Sequence, residues 1–407
     1  MPPQSARLNA NARLLINLYL PSAFAAMTQG LVVPVIPLLG PAFRVPEALA
    51  AQVVAALMLG RALMTLPSGV IVDRLGRKPA MIIGPSLLVA GSLLALLTPA
   101  FVPLLAGQFL CGAGVALWQL GREVAAVDLI APEVRGRMLA FFFGLQNAGQ
   151  ALGPLLGGIL ADRWGFRVVF WASLAVGLLV LSMTARLPET RTERPANTQS
   201  PKRSIARLSD LAPQFRTTYV ILILATFAAG TRNPVVAAVL PLHAEGKFGF
   251  SSTEVGALFA VIGAVTLLSM GPAGWVSDTI GRKAATIPAA VITGLAFLAY
   301  PYASSLPAMF GVSALVGVAG GFALGAMTVY TYDIAPAEAR GRLQALRRTM
   351  NEVGGVAGPA MAGGIMSVAD TGLCFLALVP LHAISAILLF IGAKETAGKY
   401  RGRVAVA

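Results

Sequence analysis

The segment Gly69–Lys78 reads GVIVDRLGRK, and a related segment at Gly274–Lys283 reads GWVSDTIGRK. The second copy follows the first at an offset of 205 positions, and the same offset relates Asp128 to Asp333. A repeat that keeps one offset over this length indicates two related halves built on the same plan. Further pairs at this offset include Gly149, Gly153, Pro154 and Gly158 with Gly354, Gly358, Pro359 and Gly363, and the Arg-Gly-Arg segment at 135–137 with that at 340–342.

The composition places both halves in a membrane. Of the 407 residues, 57% are hydrophobic and 12% are charged, whereas roughly 25% are charged in an average soluble domain. No charged residue occurs from Pro79 to Gly121 or from Ala284 to Tyr332. About 20 apolar residues cross the hydrocarbon core as a helix, so each stretch is long enough for two spans. An ordinary soluble protein is therefore excluded.

Apolar runs between charged residues and Gly/Pro turns predict twelve spans. The expected fold is an all-α membrane protein with twelve transmembrane helices in two pseudo-symmetric six-helix bundles. The first bundle is expected at 1–186 and the second at 217–407, joined by a proline-rich cytoplasmic linker at 187–216. The spans are 14–37, 48–72, 79–98, 103–128, 138–160, 168–186, 217–241, 254–277, 284–303, 307–332, 343–366 and 373–392.

The distribution of basic residues predicts the orientation. The chain has 31 Lys and Arg against 17 Asp and Glu, a net charge of +14. Short basic loops stay in the cytoplasm, and with an internal N-terminus only Arg44, Arg163, Arg167 and Lys247 fall on the outer side. Both termini are therefore expected in the cytoplasm of a multi-pass protein of the cell (inner) membrane. No solvated domain remains to bind nucleic acid.

The repeat favours a transporter over a membrane enzyme. Two similar bundles provide two packings of nearly equal energy that can rock about a central site. A membrane enzyme would need a nucleophile with a base, or paired metal ligands, within the spans. The two histidines, His243 and His382, lie far apart and are expected to be structural. We therefore expect no catalytic residue, no metal site and no cofactor.

The repeated segments carry a family resemblance. Gly69, Asp73, Arg74, Gly76, Arg77 and Lys78 fit the signature G-x-x-x-D-R-x-G-R-K of the major facilitator superfamily. The chain resembles this family over nearly its whole length, and most of all its twelve-span drug:proton antiporter branch. The resemblance implies that Asp73 contacts the N-terminus of helix 11, that Arg77 pairs with Asp128, and that both contacts latch the outward-facing state. It gives the second copy the same latch role at Asp278, Arg282 and Asp333.

A second motif resembles the antiporter signature G-x-x-x-G-P-x-x-G-G of exporters in this superfamily. It reads GQALGPLLGG on helix 5, with Gly149, Gly153, Pro154, Gly157 and Gly158 at the motif positions. Generic glycine packing is the competing explanation. The match favours export over uptake.

Helix 4 departs from the family pattern. An Arg usually precedes a Gly-x-Gly there and is thought to take part in proton transfer, but this chain has Gln108 before Gly112 and Gly114. Because Gln carries no charge, proton coupling by the usual route is in doubt. Arg122 lies 14 residues further on and nearly on the same helical face.

Ionisable residues within spans are costly and mark functional sites. Arg61 precedes Asp73 by 12 residues, roughly 18 Å of helix and so near mid-membrane. We predict that Arg61 pairs with Glu352 across the halves and that protonation of Glu352 weakens the pair, with a static buried pair as the alternative. Glu123 is the other proton-coupling candidate. Arg347 and Arg348 lie close enough to the cytoplasmic boundary to snorkel.

Three in-span arginines give the predicted cavity a positive balance. The three are Arg61, Arg122 and Arg232, whereas the carboxylates counted against them are two, Glu123 and Glu352. The guanidinium fork of Arg suits a carboxylate or phosphate on the ligand. Pro234 follows Arg232 closely and predicts a kink in helix 7. The remaining candidates for substrate contact are Gln29, Trp118, Gln146, Asn147 and Gln150, although hydrogen bonding between helices would explain their polarity equally well.

The sequence thus predicts a secondary active transporter that exports a small organic molecule. A drug-like anion or zwitterion is favoured over a lipophilic cation. Proton antiport through alternating access is the expected mechanism. Protons and the lipid bilayer are the expected partners besides the substrate. The family resemblance implies a monomer. The alternative is a proton symporter or exchanger that takes up an organic anion.

Overall fold

The computed structural model describes residues 19–129, 135–186, 208–323, 325–336 and 339–396. At residues 66, 73, 126–129, 135–143 and 209 it describes the backbone. Within these ranges the regular structure is helical and contains no strand. The all-α prediction is confirmed.

Long helices follow one another at the predicted positions, and we number them 1 to 12 in chain order. Helix 1 contains a 3-10 turn at Val33–Val35 between Leu20–Leu31 and Ile36–Phe43. Helix 10 consists of Leu306–Ala323 and Ala326–Ile334. The others are helix 2 (Gln52–Leu75, after a single turn at Glu47–Ala50), helix 3 (Arg77–Leu97), helix 4 (Phe101–Leu129), helix 5 (Arg135–Trp164), helix 6 (Phe166–Ala185), helix 7 (Pro213–Phe248), helix 8 (Ser252–Thr279), helix 9 (Arg282–Ala299, followed by a 3-10 turn at Tyr300–Tyr302), helix 11 (Arg340–Met366) and helix 12 (Thr371–Gly392).

Ten of these helices are long and apolar enough to cross a membrane, as judged over the described ranges. Helices 5 and 11 are not among them. Their apolar runs are interrupted by glycines and by polar residues such as Gln146 and Glu352. The same two helices carry the matching Gly-Pro motifs of the two halves, so their polarity and their small residues belong to one repeated feature.

Contacts divide the chain into two compact units. The first consists of Met1–Glu193 together with Ala244–Ala260, and the second of Arg194–His243 together with Val261–Ala407. The segment Ala244–Ala260, which ends helix 7 and begins helix 8, therefore packs with helices 1 to 6. Small residues allow this packing, because a Cβ added at Gly256 would overlap the carbonyl oxygen of Pro154 on helix 5.

Glycines set the spacing of helices within the first unit. A Cβ at Gly60 of helix 2 would overlap the carbonyl oxygen of Phe109, and one at Gly112 of helix 4 would overlap that of Leu57. Helices 2 and 4 are therefore in backbone contact, as expected where association in a membrane depends on close van der Waals packing.

The second unit combines the same kind of packing with an aromatic core. Gly230 of helix 7 lies against the backbone of Asn351 on helix 11, and Tyr219 donates a hydrogen bond to the carbonyl of Leu343 at 2.8 Å. The rings of Tyr300 and Phe375 stack with centroids 4.6 Å apart. Helices 9 and 12 are joined through this core.

The glycine that the repeated segments Gly69–Lys78 and Gly274–Lys283 share before their Arg-Lys pair has a conformational role. Gly76 has φ +103° and Gly281 has φ +152°, both in the region that side chains with a Cβ disfavour. Gly76 alone separates helix 2 from helix 3, whereas Ile280 and Gly281 separate helix 8 from helix 9. The turn between helices 2 and 3, and that between helices 8 and 9, therefore depends on glycine at this position.

Candidate functional site

A buried cation–aromatic–amide cluster lies between helices 4 and 5 of the first unit. Arg122 is 1% exposed, and its guanidinium lies 4.8 Å from the centre of the Trp118 ring. Its Nη2 donates a hydrogen bond to Oε1 of Gln146 at 3.1 Å. Arg122 and Trp118 are four residues apart on helix 4 and so lie on one face. The structure thus brings together three residues that the sequence proposed for substrate contact.

Gln119 connects the other two charged candidates of this unit. Its Nε2 donates to Oε1 of Glu123 at 2.9 Å, and its Oε1 accepts a hydrogen bond from Nη2 of Arg61 at 3.5 Å. The amide thereby links a cation on helix 2 to a carboxylate on helix 4. Sequence reasoning missed Gln119, although its spacing of four residues from Glu123 on one helix was a usable signal.

Removal of this amide is expected to destabilise the first unit. In Gln119→Leu, Arg61 and Glu123 lose hydrogen bonds to a shared partner, and hydrogen bonds to charged groups contribute about 1.5–3 kcal/mol. A lower unfolding midpoint of the purified protein in detergent would show this. The matched control is Gln150→Leu, at an exposed glutamine of helix 5, which should leave the midpoint unchanged. Equal midpoints for both variants would contradict the bridging role.

The other predicted polar residues occupy different surroundings. Asn147 is half-buried on helix 5, and Gln150 is exposed. Gln29 donates to the carbonyl of Ala25 at 3.5 Å and lines a separate small cavity together with Gln108. That cavity has a volume of about 20 Å³, enough for one water molecule. Its other lining residues are Thr28, Val32, Leu57, Leu88, Ser92, Cys111, Val115, Phe170 and Ser173.

Arg232 lies in the interior of the second unit. It is 6% exposed, and its Nε donates to Oδ1 of Asn233 at 3.1 Å. Helix 7 continues as an α-helix through Pro234 and Pro241. The proline therefore does not divide helix 7 into two segments, and the guanidinium is presented from the middle of a long helix.

Helix 11 contributes two more of the predicted charges to the second unit. Nη2 of Arg347 donates to the hydroxyl of Thr328 at 2.8 Å, and its Nε donates to Gln344 at 2.9 Å. Glu352 is half-buried. Arg61 belongs to the first unit and Glu352 to the second, and their pairing stays a prediction.

The latch residues of the second copy form a connected ion-pair cluster. Arg282 has a side chain that is 2% exposed; its Nε lies 2.8 Å from Oδ2 of Asp333 and its Nη1 lies 2.6 Å from Oδ1 of Asp278. Glu395 accepts hydrogen bonds from the backbone N–H groups of Arg282 and Lys283 at 2.8 and 2.9 Å. A carboxylate thus caps the first turn of helix 9, as the positive end of a helix favours. The sequence did not point to Glu395, because it lies 113 residues after Arg282.

The first copy of the latch lies partly outside the described side chains. Asp73 and Asp128, which the sequence assigned to the latch, are described by their backbone alone. Arg77 is half-buried at the start of helix 3. Among the described residues, no atom lies within 4 Å of a Cβ added at Gly69. The contacts of Asp73 with helix 11 and of Arg77 with Asp128 stay predictions.

The glycine motif of helix 5 forms a continuous contact with helix 1. A Cβ at Gly149, Gly153 or Gly157 would overlap the carbonyl oxygens of Ala23, Met27 and Leu31 respectively. Both series advance by four residues, so the two helix backbones run side by side over two turns. Pro154 lies against Gly30, and a Cβ at Gly158 would overlap the carbonyl oxygen of Ser252. The motif therefore has a packing role on two sides of helix 5.

Asp162 extends this contact to the start of helix 8. Its Oδ1 and Oδ2 accept hydrogen bonds from the backbone N–H groups of Ser252 and Thr253 at 3.0 and 2.8 Å. These donors have no partner within their own helix because they belong to its first turn. Asp162 thus caps helix 8 from a different helix and helps to hold Ala244–Ala260 in the first unit.

Loss of this cap is expected to loosen the start of helix 8. Asp162→Ala should destabilise the segment by about 0.5–2 kcal/mol, the usual cost of removing a helix cap. Hydrogen exchange at the amides of Ser252 and Thr253 would measure the effect directly. Arg163→Ala, at the exposed neighbouring residue, is the control. Unchanged protection of both amides in Asp162→Ala would refute the capping role.

Comparisons with known proteins agree with this architecture. A family model described as Major Facilitator Superfamily matches residues 18–231 and again residues 222–404. The chain belongs to the Major Facilitator Superfamily. The two matches cover the two halves of the repeat, and the expectation of a transporter rather than an enzyme is confirmed.

Relatives within the superfamily are similar at modest identity. "Multidrug resistance protein Stp" of Mycobacterium tuberculosis is 33% identical over 134 residues, which are 32% of this chain and 25% of Stp. This chain therefore spans about a quarter of the length of that relative. "Uncharacterized MFS-type transporter YceJ" of Bacillus subtilis is 27% identical over 81% of this chain and 83% of its own. The crystal structure of a D-xylose–proton symporter matches with a TM-score of 0.76 at 17% identity, over 95% of this chain and 99% of that one.

Proposed function

We propose that this superfamily transporter exports a small anionic or zwitterionic organic molecule from the cytoplasm in exchange for protons. The observation that carries the proposal is the buried guanidinium of Arg232, which has the side chain of Asn233 as its hydrogen-bond partner. Within the described part of the chain, the ion pairs of this unit do not include Arg232. A buried cation that no protein carboxylate neutralises favours an anionic group on the ligand. We propose a monomer in the cell membrane with both termini in the cytoplasm.

Export is supported by the glycine motif and by a relative. Gly149, Gly153 and Gly157 make the close contacts with helix 1 described above, in the pattern that resembles the exporter signature. Stp carries the name of a multidrug resistance protein. The alternative, a symporter or exchanger that takes up an organic anion, has the fold likeness to the D-xylose–proton symporter in its favour.

Proton coupling is proposed to use Glu123 in place of a charged group at position 108. Gln108 is 3% exposed and lines the small cavity between helices 1, 2, 3, 4 and 6, and an amide cannot gain or lose a proton at physiological pH. Glu123 is a half-buried carboxylate that Gln119 connects to Arg61. Protonation of Glu123 would weaken its hydrogen bond from Gln119, since hydrogen bonds to ionised groups are the stronger ones.

Transport assays in proteoliposomes test the direction and the substrate class. The purified full-length protein is reconstituted, and a pH gradient of either sign is imposed over a panel of organic acids, zwitterions and lipophilic cations. Antiport predicts that an acidic lumen drives accumulation of acids or zwitterions, whereas symport predicts that an acidic exterior does. Preference for hydrophobic cations would overturn the proposed substrate class, and indifference to the gradient would overturn proton coupling.

Glu123→Gln is expected to abolish the response to the pH gradient. The amide keeps the size and polarity of the side chain but cannot take up a proton. Exchange of labelled substrate across liposomes without a gradient should persist, because that process needs no net proton transfer. Glu352→Gln is assayed in parallel as the second candidate for coupling. A response to the gradient equal to wild type in both variants would exclude these two carboxylates.

A further inference from the structure

The small cavity of the first unit contains a buried hydroxyl group whose hydrogen-bonding capacity is unused. Ser173 of helix 6 and Gln108 of helix 4 both line the cavity, and each is 3% exposed. Oγ of Ser173 is buried and has no hydrogen-bond partner among the described residues. Because a buried polar group without a partner is costly, nearly all such groups are bonded to protein or to ordered water. The hydroxyl therefore points to a partner inside the cavity.

Two further hydroxyl groups line the same cavity. Thr28 of helix 1 is buried and donates to the carbonyl of Phe24 at 3.0 Å, so its oxygen can still accept a hydrogen bond. Ser92 of helix 3 is buried as well, and its Oγ lies 3.9 Å from Sγ of Cys111. Helices 1, 3, 4 and 6 thus each contribute a group that can form a hydrogen bond with an occupant.

The size and the charge of the cavity limit what it can hold. No acidic, basic or histidine side chain is among the described residues that line it, so an ion would be buried without a counter-charge. The volume of about 20 Å³ is too small for an organic molecule. It is sufficient for one water molecule, which needs roughly 10–15 Å³ and two to four polar partners.

Closer packing of helices 3 and 4 cannot remove this space. A Cβ added at Gly91 of helix 3 would overlap the carbonyl oxygen of Gly107 and the sulfur of Cys111 on helix 4. The two helices are therefore already in backbone contact beside the cavity. The small side chains of Ser92, Cys111 and Ser173 leave the remaining volume unfilled.

We propose that the cavity binds one water molecule, which forms hydrogen bonds with Ser173 and Gln108. The hydroxyl and the amide can each donate and accept, so either orientation of the water satisfies both. Thr28 offers a further acceptor. The water joins helix 6 to helices 4 and 1 in the interior of the first unit, and this role is separate from the transport of a substrate.

The first experiment uses the two buried cysteines as reporters. The purified full-length protein in detergent is exposed to synchrotron X-rays, which convert water to hydroxyl radicals, and glycerol is added to consume the radicals formed in the bulk solvent. Cysteine oxidation is then measured by mass spectrometry. Cys111 lines the cavity, whereas Cys374 is a buried thiol of the second unit. Radicals formed from the bound water should oxidise Cys111 several times faster than Cys374.

A variant that fills the cavity tests the source of this oxidation. Ser173→Val replaces the hydroxyl by methyl groups and is expected to lower the oxidation of Cys111 to the rate of Cys374. Ser182→Val, at an exposed serine of the same helix, is the matched control and should leave the rate unchanged. Oxidation of Cys374 should be the same in all three proteins, which shows that the variants are folded.

A double-mutant cycle measures the link through the water. Ser173→Ala and Gln108→Leu should each lower the unfolding midpoint, and their combined effect should be smaller than the sum, because either change alone disrupts the shared water. Ser182→Ala combined with Gln108→Leu is the control and should be additive. This cycle tests the proposal even where Ser173→Val fails to fold.

Three results would overturn the proposal. One is wild-type oxidation of Cys111 in folded Ser173→Val. Another is a higher midpoint for Ser173→Ala, since removal of a hydroxyl that has no partner is stabilising. The third is a wild-type midpoint that is higher in sodium than in choline chloride and loses this difference in Ser173→Ala, which would assign the cavity to a cation.

Discussion

Arg282→Gln is expected to lower the stability of the second unit more than any other single charge removal described here. Breaking a buried ion pair by removing one partner costs about 3–5 kcal/mol. The side chain of Asp333 keeps 21% exposure, so part of its charge is solvated and we expect roughly 2–4 kcal/mol. The change also removes the hydrogen bonds from Nη1 to the carbonyl and hydroxyl of Ser277, each 2.9 Å long. Unfolding in an SDS titration, followed by circular dichroism, would measure the loss.

A double-mutant cycle separates the pair from the other contacts of Arg282. Asp333→Asn and the double variant complete the cycle, and a coupling energy above about 1 kcal/mol is expected for residues in direct contact. Arg348→Gln, at an exposed arginine, should change the midpoint little. Additive effects of the two changes would mean that the observed pair does not stabilise the unit.

Gly157→Ala should be among the most disruptive single-methyl changes on helix 5. The added Cβ would overlap the carbonyl oxygen of Leu31, a backbone atom that cannot rotate away. Overpacking of this kind costs about 1–3 kcal/mol, and here it also forces helix 1 away from helix 5 along the whole glycine series. We expect a lower unfolding midpoint and reduced transport.

Gly144→Ala is the matched control because it adds the same methyl group to the same helix. Of the atoms that the structure describes, none lies within 4 Å of a Cβ added at Gly144. Alanine is favoured over glycine inside a helix by about 0.5–1 kcal/mol, so this variant should be slightly stabilised. The two substitutions are thus expected to have opposite signs. A fall in stability of equal size in both would contradict the packing role of Gly157.

The sequence determined the fold class because membrane insertion imposes simple rules. Long uncharged runs such as Pro79 to Gly121 have to form helices, since lipid offers no hydrogen bonds to an open backbone. The internal repeat required a second bundle like the first. Span boundaries were less well predicted: helix 7 runs from Pro213 to Phe248, well beyond the expected 217–241, because polar end turns continue a helix without adding to its apolar run.

The candidate sites were predicted in part. Residue types within the spans identified Arg122 and Trp118 as separate candidates, and the structure added the contact between them. The repeat identified Arg282 and Asp333 as latch residues. Gln119 and Glu395 were missed because neither lies in a recognisable motif. Gln119 acts as a bridge only because helix 2 brings Arg61 to it. Glu395 caps helix 9 only because the chain after helix 12 passes its first turn.

By itself, the sequence determined what each residue could do: which segments enter a membrane, which side chains carry charge there, and which glycines permit close approach. The tertiary structure alone decided which of these groups meet. Arg61 of helix 2 and Glu123 of helix 4 lie far apart along the chain, yet folding brings Arg61 to Gln119, which also bonds Glu123. The physical reason is that a buried charge is compensated by whatever the fold brings within a few ångströms, and that distance is not written in the spacing of residues along one helix.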